Sequence, residues 1–375
     1  MRLSAIHADG RVALPTILKA LSTARRHDLR QIQGNLPSPT EGARNEEPPP
    51  RQDAWDQDPA SRQEDLPQEA GLATVAVTLC DVGLRDGLQD DPVTLPPAER
   101  ALLATLIADA GVPRVEVASF VNPRLVPQMA GAEEVLAALP DDRRWCGLVL
   151  NARGMERALA TGVGEVHVSY PVTDGFARAN QNTTAEAAAA AIPALVDAAH
   201  AAGRRVTVTL SCAFGCPFDG LVDPALVADH VARAAAAGAD EVLLADTIGV
   251  GNPRQTTRLV ADAVAATGAG RVGVHLHNTR NAGYANAVAA LEAGATLLDG
   301  SLGGLGGCPF APGATGNVVF EDLVFLCESK GFNTGIDIEK LISVRSILRS
   351  EMPGETLYGG LARAGLPDRK TSVAA

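Results

Sequence analysis

One β/α unit can be read directly from the chain between residues 205 and 247. The run RVTVTLSC (205–212) is rich in β-branched residues, as a strand is, and PALVADHVARAAAA (224–237) has the apolar spacing of a helix. Gly238 then stands where a helix commonly ends, and EVLLADT (241–247) begins the next strand. This succession of strand, helix, glycine and strand predicts a parallel sheet covered by helices.

The same unit recurs along most of the chain. Eight short β-rich runs are predicted as strands, at Val75–Val82, Arg114–Phe120, Trp145–Leu150, Glu165–Tyr170, Arg205–Cys212, Glu241–Thr247, Val272–His277 and Thr296–Ser301. About eight β/α units in roughly 260 residues match the size of a (β/α)8 TIM barrel. The alternative is a doubly wound open sheet, but no G-x-G-x-x-G follows the first strand. We therefore predict a (β/α)8 barrel.

Composition divides the chain into three parts. Residues 1–72 are predicted to be an N-terminal extension, mostly disordered, because residues 35–70 are rich in Pro, Glu, Asp and Gln and hold few large apolar side chains. The barrel is predicted over residues 73–335. Residues 336–375 are predicted to add short helices, with a helical apolar rhythm over Ile336–Arg349, and a frayed tail.

Charge and composition exclude several classes of protein. The formal net charge is -12 without a large basic block, which argues against binding nucleic acid through phosphate contacts. No apolar run reaches the roughly 20 residues that a bilayer requires. Six cysteines spread over 375 residues suggest reduced thiols and a cytoplasmic location. The Arg-containing, acid-poor start leaves mitochondrial targeting as an alternative.

Polar residues collect where the predicted strands end, which in a barrel is the catalytic mouth. His275 and His277 are two residues apart, so their side chains point to the same face of one strand. Asp86 follows the first strand, which lies one strand away from the seventh across a closed barrel. Two imidazoles and a carboxylate predict a divalent metal site, with Asn317 as a possible fourth ligand.

The donor types restrict the ion and the chemistry. Without thiolate ligands, Mg²⁺ or Mn²⁺ is plausible, and Zn²⁺, Co²⁺ and Fe²⁺ remain open. A site with open positions suits a substrate that chelates through two oxygens, with the ion as a Lewis acid. The simpler reading, in which each histidine is a core residue with one hydrogen bond, is weaker for a same-face pair.

Three further side chains are candidates for catalysis. Arg85 would place a cation beside the metal, where it could stabilise an oxyanion. Glu116 on the second strand would support Arg85. Cys308 lies among glycines after the last strand, where a loop could close and the thiol transfer a proton. From spacing alone, Cys308 could equally be a small buried hydrophobe.

Several segments in one order resemble the 3-hydroxy-3-methylglutaryl-CoA (HMG-CoA) lyase family of metal-dependent lyase and Claisen-condensing barrels. The resemblance covers residues 75–335. The matching segments are Val82-Gly83-Leu84-Arg85-Asp86-Gly87-Leu88-Gln89, Val117-Ala118-Ser119-Phe120-Val121-Asn122-Pro123, Val126-Pro127-Gln128-Met129, Ser211-Cys212-Ala213-Phe214-Gly215-Cys216-Pro217, Ala245-Asp246-Thr247-Ile248-Gly249-Val250-Gly251, His275-Leu276-His277, Gly303-Gly304-Leu305-Gly306-Gly307-Cys308-Pro309 and Gly313-Ala314-Thr315-Gly316-Asn317.

The resemblance implies a role for each matching residue. Metal ligands would be Asp86, His275, His277 and Asn317. Arg85 would stabilise the enolate-like thioester oxygen, and Cys308 would be the catalytic loop cysteine. The other implied active-site residues are Glu116 and Asp246, together with Gln89 and Asn180 at the substrate.

The implied reaction is a retro-Claisen cleavage of HMG-CoA. Its products would be acetyl-CoA and acetoacetate, as in leucine breakdown. A homodimer or a higher homo-oligomer is expected. The acyl-CoA would be the only substrate partner, with neither nucleic acid nor a membrane involved.

Two segments depart from the family pattern. The family usually has Asp and then a nearby Gly after its two histidines, whereas this chain has Asn278-Thr279-Arg280-Asn281. The segment Ser169–Phe176 also differs from the usual small-residue and Glu pattern. Both lie near the expected acyl group, so citramalyl-CoA or another branched 3-hydroxy-acyl-CoA is an alternative substrate.

Two further classes of function remain to be weighed. A synthase of the isopropylmalate or homocitrate kind shares the Arg-Asp-Gly and His-x-His elements. Leu88, the Cys308 loop and the lack of a long C-terminal regulatory domain count against it. A barrel used only for binding is disfavoured because every proposed ligand is retained.

Overall fold

The computed structural model describes residues 76–307 and 316–367. Within them, eight parallel strands close into a barrel in the order β1 to β8, which confirms the predicted fold class. The strands are β1 (Thr78–Asp81), β2 (Arg114–Ser119), β3 (Trp145–Val149), β4 (Glu165–Pro171), β5 (Arg205–Ser211), β6 (Glu241–Asp246), β7 (Val272–Leu276) and β8 (Leu297–Gly300).

Helices alternate with these strands. They are α1 (Pro97–Asp109), α2 (Ala132–Ala138), α3 (Ala152–Leu159), α4 (Asp174–Gln181), α5 (Ala185–Ala201), α6 (Pro224–Ala236), α7 (Pro253–Thr267), α8 (Gly283–Glu292), α9 (Phe320–Ser329), α10 (Ile338–Glu351) and α11 (Leu361–Ala364). Asn151, Thr184, Asp223, Asn252 and Asp337 cap helix N-termini through their side chains.

Each predicted strand is present, although most are shorter at their ends by one to three residues. Beyond the C-terminal end of β1 the chain no longer pairs with the neighbouring strands, and residues Gly83–Gly87 form one π-helical turn. Such turns are rare and occur frequently at functional sites. The amides of Arg85, Asp86 and Gly87 all donate to the carbonyl of Val82.

The register between strands decides which interior side chains meet. β7 pairs with β8 so that Gly273 lies opposite Leu297. Two residues further along each strand, His275 and Asp299 then face the same layer of the interior. A residue without a Cβ atom fits here, since a Cβ atom at Gly273 would lie 2.7 Å from the backbone oxygen of Leu297.

The last two helices lie in the predicted C-terminal segment, and a buried ion pair ties α10 to the barrel. Arg345 donates to Glu321 Oε1 at 2.5 Å, and the other carboxylate oxygen of Glu321 accepts from the amide of Gly303 at 3.0 Å. This arrangement fixes the loop after β8. The predicted extension, residues 1–72, and the frayed tail lie outside the described residues, and the three-part domain division stays a prediction.

Candidate active site

The turn after β1 is fastened to the loop after β8 by Asp81. Its carboxylate accepts from the amide of Gly83 at 3.0 Å and from the amide of Leu302 at 2.9 Å. Burial raises the pKa of Asp81 to about 7, although these two amides oppose the shift. Gly87 permits the close approach of the two loops, since a Cβ atom there would lie 2.8 Å from Ser301 Oγ.

The side chains of Asp86, His275 and His277 meet at the mouth of the barrel, as predicted. One donor atom from each lies within 4.8 Å of the other two. The imidazole rings are 5.0 Å apart between centroids, and His277 Nε2 is 3.8 Å from Asp86 Oδ2. We call these three residues, with Asn317, the mouth cluster.

Neighbouring groups orient the cluster. His275 Nδ1 is 2.8 Å from Asp299 Oδ1, which leaves Nε2 of that ring for another partner. Burial opposes ionisation of Asp86, but Arg85 and the two histidines hold its pKa well below the usual range. The cluster therefore offers an ionised carboxylate and two imidazoles, of which that of His275 is held by Asp299.

Asn317, the fourth member of the mouth cluster, lies in the chain after the loop that follows β8. Its Nδ2 donates to Asp86 Oδ2 at 2.8 Å and to the carbonyl of Leu305 at 3.1 Å. Its Oδ1 is buried and has no hydrogen-bond partner among the described residues. A buried acceptor without a donor costs free energy, so this oxygen fits a cation ligand.

Arg85 is held between two carboxylates. Its Nε donates to Glu116 Oε2 at 2.6 Å, and its NH1 donates to Asp86 Oδ1. Burial opposes the charge of Glu116, yet Arg85 and then His167 lower its pKa. The predicted support of Arg85 by Glu116 is therefore present as a direct ion pair with a fully buried carboxylate.

The remaining predicted residues lie at or near one cavity at the barrel mouth. Gln89, Asn180 and Glu116 line it together with the mouth histidines. Asp246 is not among its lining residues. Its carboxylate accepts from the amides of Val250 and Gly251, both at 2.9 Å, and so shapes the loop after β6. Cys308 lies outside the described residues.

Sequence reasoning missed two interior side chains. Asp299 orients His275, and His167 bonds Glu116 through Nδ1 at 2.9 Å. The signal for His167 was present, because Glu165 and His167 are spaced on β4 as His275 and His277 are on β7. Two polar side chains on one face of a buried strand therefore predict a polar interior site on β4 as they do on β7.

The comparisons with known proteins agree with this geometry. The HMGL-like family matches residues 76–348. A relative from Chloroflexus aurantiacus named (R)-citramalyl-CoA lyase is 42% identical over an alignment of 309 positions that covers 77% of this chain and 95% of that protein. A hydroxymethylglutaryl-CoA lyase from Pseudomonas mevalonii is 40% identical over 271 residues, covering 72% of this chain and 90% of the relative.

The chain belongs to the HMGL-like family. It is a carbon–carbon lyase of that family. The crystal structure of hydroxymethylglutaryl-CoA lyase from Pseudomonas aeruginosa superposes with a TM-score of 0.74 and 36% identity, covering 77% of this chain and 97% of that one. An HMG-CoA lyase from Acinetobacter baumannii, in complex with coenzyme A and 3-methylmalate, has a TM-score of 0.75 and 32% identity, with 82% and 99% covered.

A second groove adjoins the mouth of this lyase barrel. It shares Leu150 with the first cavity and is lined by three arginines, Arg124, Arg153 and Arg157. Guanidinium groups suit phosphate, because their planar donors match its oxygens. No helix among the described residues is long and apolar enough to cross a membrane.

Proposed function

We propose that this chain is a divalent-metal-dependent lyase that cleaves HMG-CoA into acetyl-CoA and acetoacetate. The observation that carries the proposal is the convergence of Asp86, His275 and His277 beside the Arg85–Glu116 pair at the barrel mouth. Relatives named hydroxymethylglutaryl-CoA lyase support the choice of substrate. The same relatives are the basis for proposing a role in leucine breakdown.

The donors present fit a divalent ion. Two imidazoles, an ionised carboxylate and the buried Oδ1 of Asn317 make a mixed nitrogen and oxygen set that suits Mg²⁺ or Mn²⁺. Asp86, His275, His277 and Asn317 would hold the ion. When bound, it would supply a Lewis acid for the substrate's tertiary hydroxyl and a neighbouring oxygen.

Arg85 acts on the other half of the substrate. A base takes the proton of the tertiary hydroxyl, and the C3–O bond becomes the carbonyl of the ketone product as the C2–C3 bond breaks. The electrons of the broken bond stay on the acetyl-CoA half as an enolate, so negative charge grows on the thioester oxygen. Glu116 fixes the guanidinium of Arg85 at 2.6 Å, which pre-orients the donor for that oxygen. Glu116 is a positioning residue in this scheme.

Proton transfer ends the reaction. The C2 carbanion of the enolate must gain a proton, and we propose that Cys308 Sγ donates it from the glycine-rich loop. Glycines allow such a loop to approach and leave the mouth. Gln89 and Asn180, which line the cavity, would contact the acyl group. Asp246 would hold the loop beside His277.

The basic groove would hold the coenzyme. CoA carries several phosphate groups, and Arg124 and Arg153 offer cations next to the cavity that Leu150 borders, whereas Arg157 is paired with Glu133 at 2.7 Å. In this proposal the thioester end would lie toward Arg85 and the phosphates would lie outside the mouth. We also propose a cytoplasmic location, because all five cysteines among the described residues are unpaired and buried.

A second substrate is favoured by one specific observation. The relative named (R)-citramalyl-CoA lyase matches more of this chain than the hydroxymethylglutaryl-CoA lyase from Pseudomonas mevalonii does, at similar identity. The wall of the cavity on β4 and β5 is also polar, with Ser169 Oγ 2.9 Å from Ser211 Oγ. Citramalyl-CoA has one methylene less between its hydroxyl carbon and its carboxylate.

The co-product distinguishes the two substrates. Purified full-length protein with Mg²⁺ or Mn²⁺ is given HMG-CoA and citramalyl-CoA separately, and acetyl-CoA, acetoacetate and pyruvate are measured. We expect acetyl-CoA and acetoacetate from HMG-CoA. Pyruvate from citramalyl-CoA, at a higher kcat/KM, would move the assignment to the second substrate. No acetyl-CoA from either would contradict the lyase proposal for both.

A further inference from the structure

A second group of metal-type donors lies deeper in the barrel. Cys80 on β1, Cys146 on β3 and His167 on β4 each place a sulfur or ring nitrogen within 4.8 Å of the others. All three residues are buried. None belongs to the mouth cluster, and the proposed cleavage uses none of them.

The two ring nitrogens of His167 have different surroundings. Nδ1 is bonded to Glu116 Oε1 at 2.9 Å. Nε2 is buried without a hydrogen-bond partner among the described residues, and Glu165 Oε1 lies 3.4 Å from it. Ligands at about 2.0–2.3 Å around a tetrahedral zinc ion are separated from one another by about 3.3–3.8 Å. The contact between Nε2 and Glu165 therefore has the length of an edge of such a tetrahedron.

The residues around His167 and Glu165 hold these side chains in the way that neighbouring residues hold the ligands of a metal site. Metal-binding histidines usually bond a carboxylate through their other nitrogen, as His167 bonds Glu116. Glu165 is itself held, since Thr207 Oγ1 donates to its Oε1 at 2.6 Å and Arg114 NH1 lies 3.4 Å from the same oxygen. Each candidate donor on β4 thus has a fixed orientation.

The local field attracts positive charge. Burial opposes protonation of His167, but Glu116 and Glu165 raise its pKa well above the ordinary value. The pKa of the Cys80 thiol is raised well above that of a free thiol. The largest cause is the hydrogen bond between Cys80 and Cys146, and the second is burial. Binding of a divalent ion would release the protons that its thiol and imidazole ligands carry.

We propose that Cys80, Cys146 and His167, which the fold brings together, form a second, thiolate-containing site for Zn²⁺ or a similar borderline ion, and that Glu165, whose Oε1 is 3.4 Å from His167 Nε2, supplies the fourth ligand. We call these four residues the interior cluster. Two thiolates select such an ion over Mg²⁺. Four protein ligands leave no open position, which is typical of a structural site. The ion would join three strands and fix Glu116, and so Arg85, through His167. Because His167 lines the mouth cavity, an entry path exists.

The absorption spectrum of bound Co²⁺ tests the proposed site independently of activity. Full-length Cys308→Ser protein is stripped of metal by a chelator and titrated with Co²⁺ without oxygen. A thiolate ligand gives a near-ultraviolet sulfur-to-cobalt charge-transfer band, and four-coordinate cobalt gives intense visible bands. The mouth cluster has no sulfur and cannot give the first. We expect two equivalents per chain, one of them with both signals and resistant to excess Mg²⁺.

Matched variants assign the signal. Cys80→Ser and Cys146→Ser should each remove the charge-transfer band and one equivalent. His275→Ala should remove the other equivalent and keep the band, and Cys212→Ser should keep both. A parent chain that binds one equivalent without the band would overturn the proposal, and this result needs no buried variant to fold. A band that survives both Cys80→Ser and Cys146→Ser would overturn it equally.

Discussion

The mouth cluster and the interior cluster are built by the same rule but suit different ions. Each contains a pair of side chains two residues apart on one strand, His275 and His277 at the mouth and Glu165 and His167 inside. At the mouth, the partners are a carboxylate and an amide beside a cavity. Inside, they are two buried thiols. The comparison teaches that the same spacing on a strand can serve two kinds of site, and that the chemistry of the partner side chains decides which ion each one suits.

Loss of a mouth ligand should have the largest effect. His275→Ala removes an imidazole that Asp299 holds through Nδ1 at 2.8 Å, and with its Nε2 the Lewis acid is lost, which contributes several kcal/mol. We expect kcat/KM for acetyl-CoA release to fall by at least about 10³-fold. His200→Ala is the control, because His200 also pairs with an aspartate but lies exposed on α5. Near-normal turnover in His275→Ala would show that the site is misplaced.

Arg85→Lys should come next. Lysine keeps the charge but loses the planar donors that contact Glu116 and Asp86 together. We expect kcat to fall by about 10²-fold or more, as for removal of one oxyanion donor, with a smaller change in KM. Arg233→Lys removes a similar two-point contact with Glu186 on the surface and should change neither constant. Equal losses in kcat for the two variants would contradict this role.

The interior cluster should contribute to stability rather than to chemistry alone. Burial opposes the charge of Glu165, but His167 and Arg114 lower its pKa to about 2. Because the folded pKa lies below the unfolded value, this stabilisation is complete above pH 4.5 and is lost as pH falls toward 2. Its size is on the order of 3 kcal/mol.

Urea unfolding of the metal-free protein between pH 5 and 2, a range set by that pKa shift, measures this contribution. Glu165→Gln should flatten the fall in unfolding free energy. Glu186→Gln, in an exposed ion pair with Arg233, should leave the profile as it is. A profile for Glu165→Gln that matches the parent chain would show that Glu165 is not stabilised by its neighbours.

Gly306→Ala should have the smallest effect. Gly306 has φ of 91°, and a Cβ atom would lie 2.8 Å from Asn317 Nδ2. Backbone strain of about 1–3 kcal/mol and displacement of Asn317 should weaken Mn²⁺ binding by about tenfold or more. Gly307→Ala is the matched control, because no atom of the described residues lies within 4 Å of its Cβ position. Equal Mn²⁺ affinity in both variants would remove Asn317 from the ligand set.

The sequence was most informative where local periodicity decides structure. Runs rich in β-branched residues, together with glycine C-caps, predicted the eight strands, and the spacing of His275 and His277 predicted their shared face. The Asp299–His275 contact could not be predicted, because it depends on the register between β7 and β8. The proximity of Cys80 and Cys146 to His167 could not be predicted for another reason. Each looks like one more small apolar residue in a buried strand, and only the closed barrel brings them to His167.

The central claim is that one metal at the mouth cluster enables carbon–carbon cleavage. It is tested most directly by measuring Mn²⁺ affinity and acetyl-CoA release from HMG-CoA and citramalyl-CoA together, in the parent chain and in Asp86→Asn. The account predicts that chelation stops release, that Mn²⁺ restores it, and that Asp86→Asn loses affinity and turnover in parallel. Full release after chelation, or full turnover in Asp86→Asn with weakened Mn²⁺ binding, would contradict it.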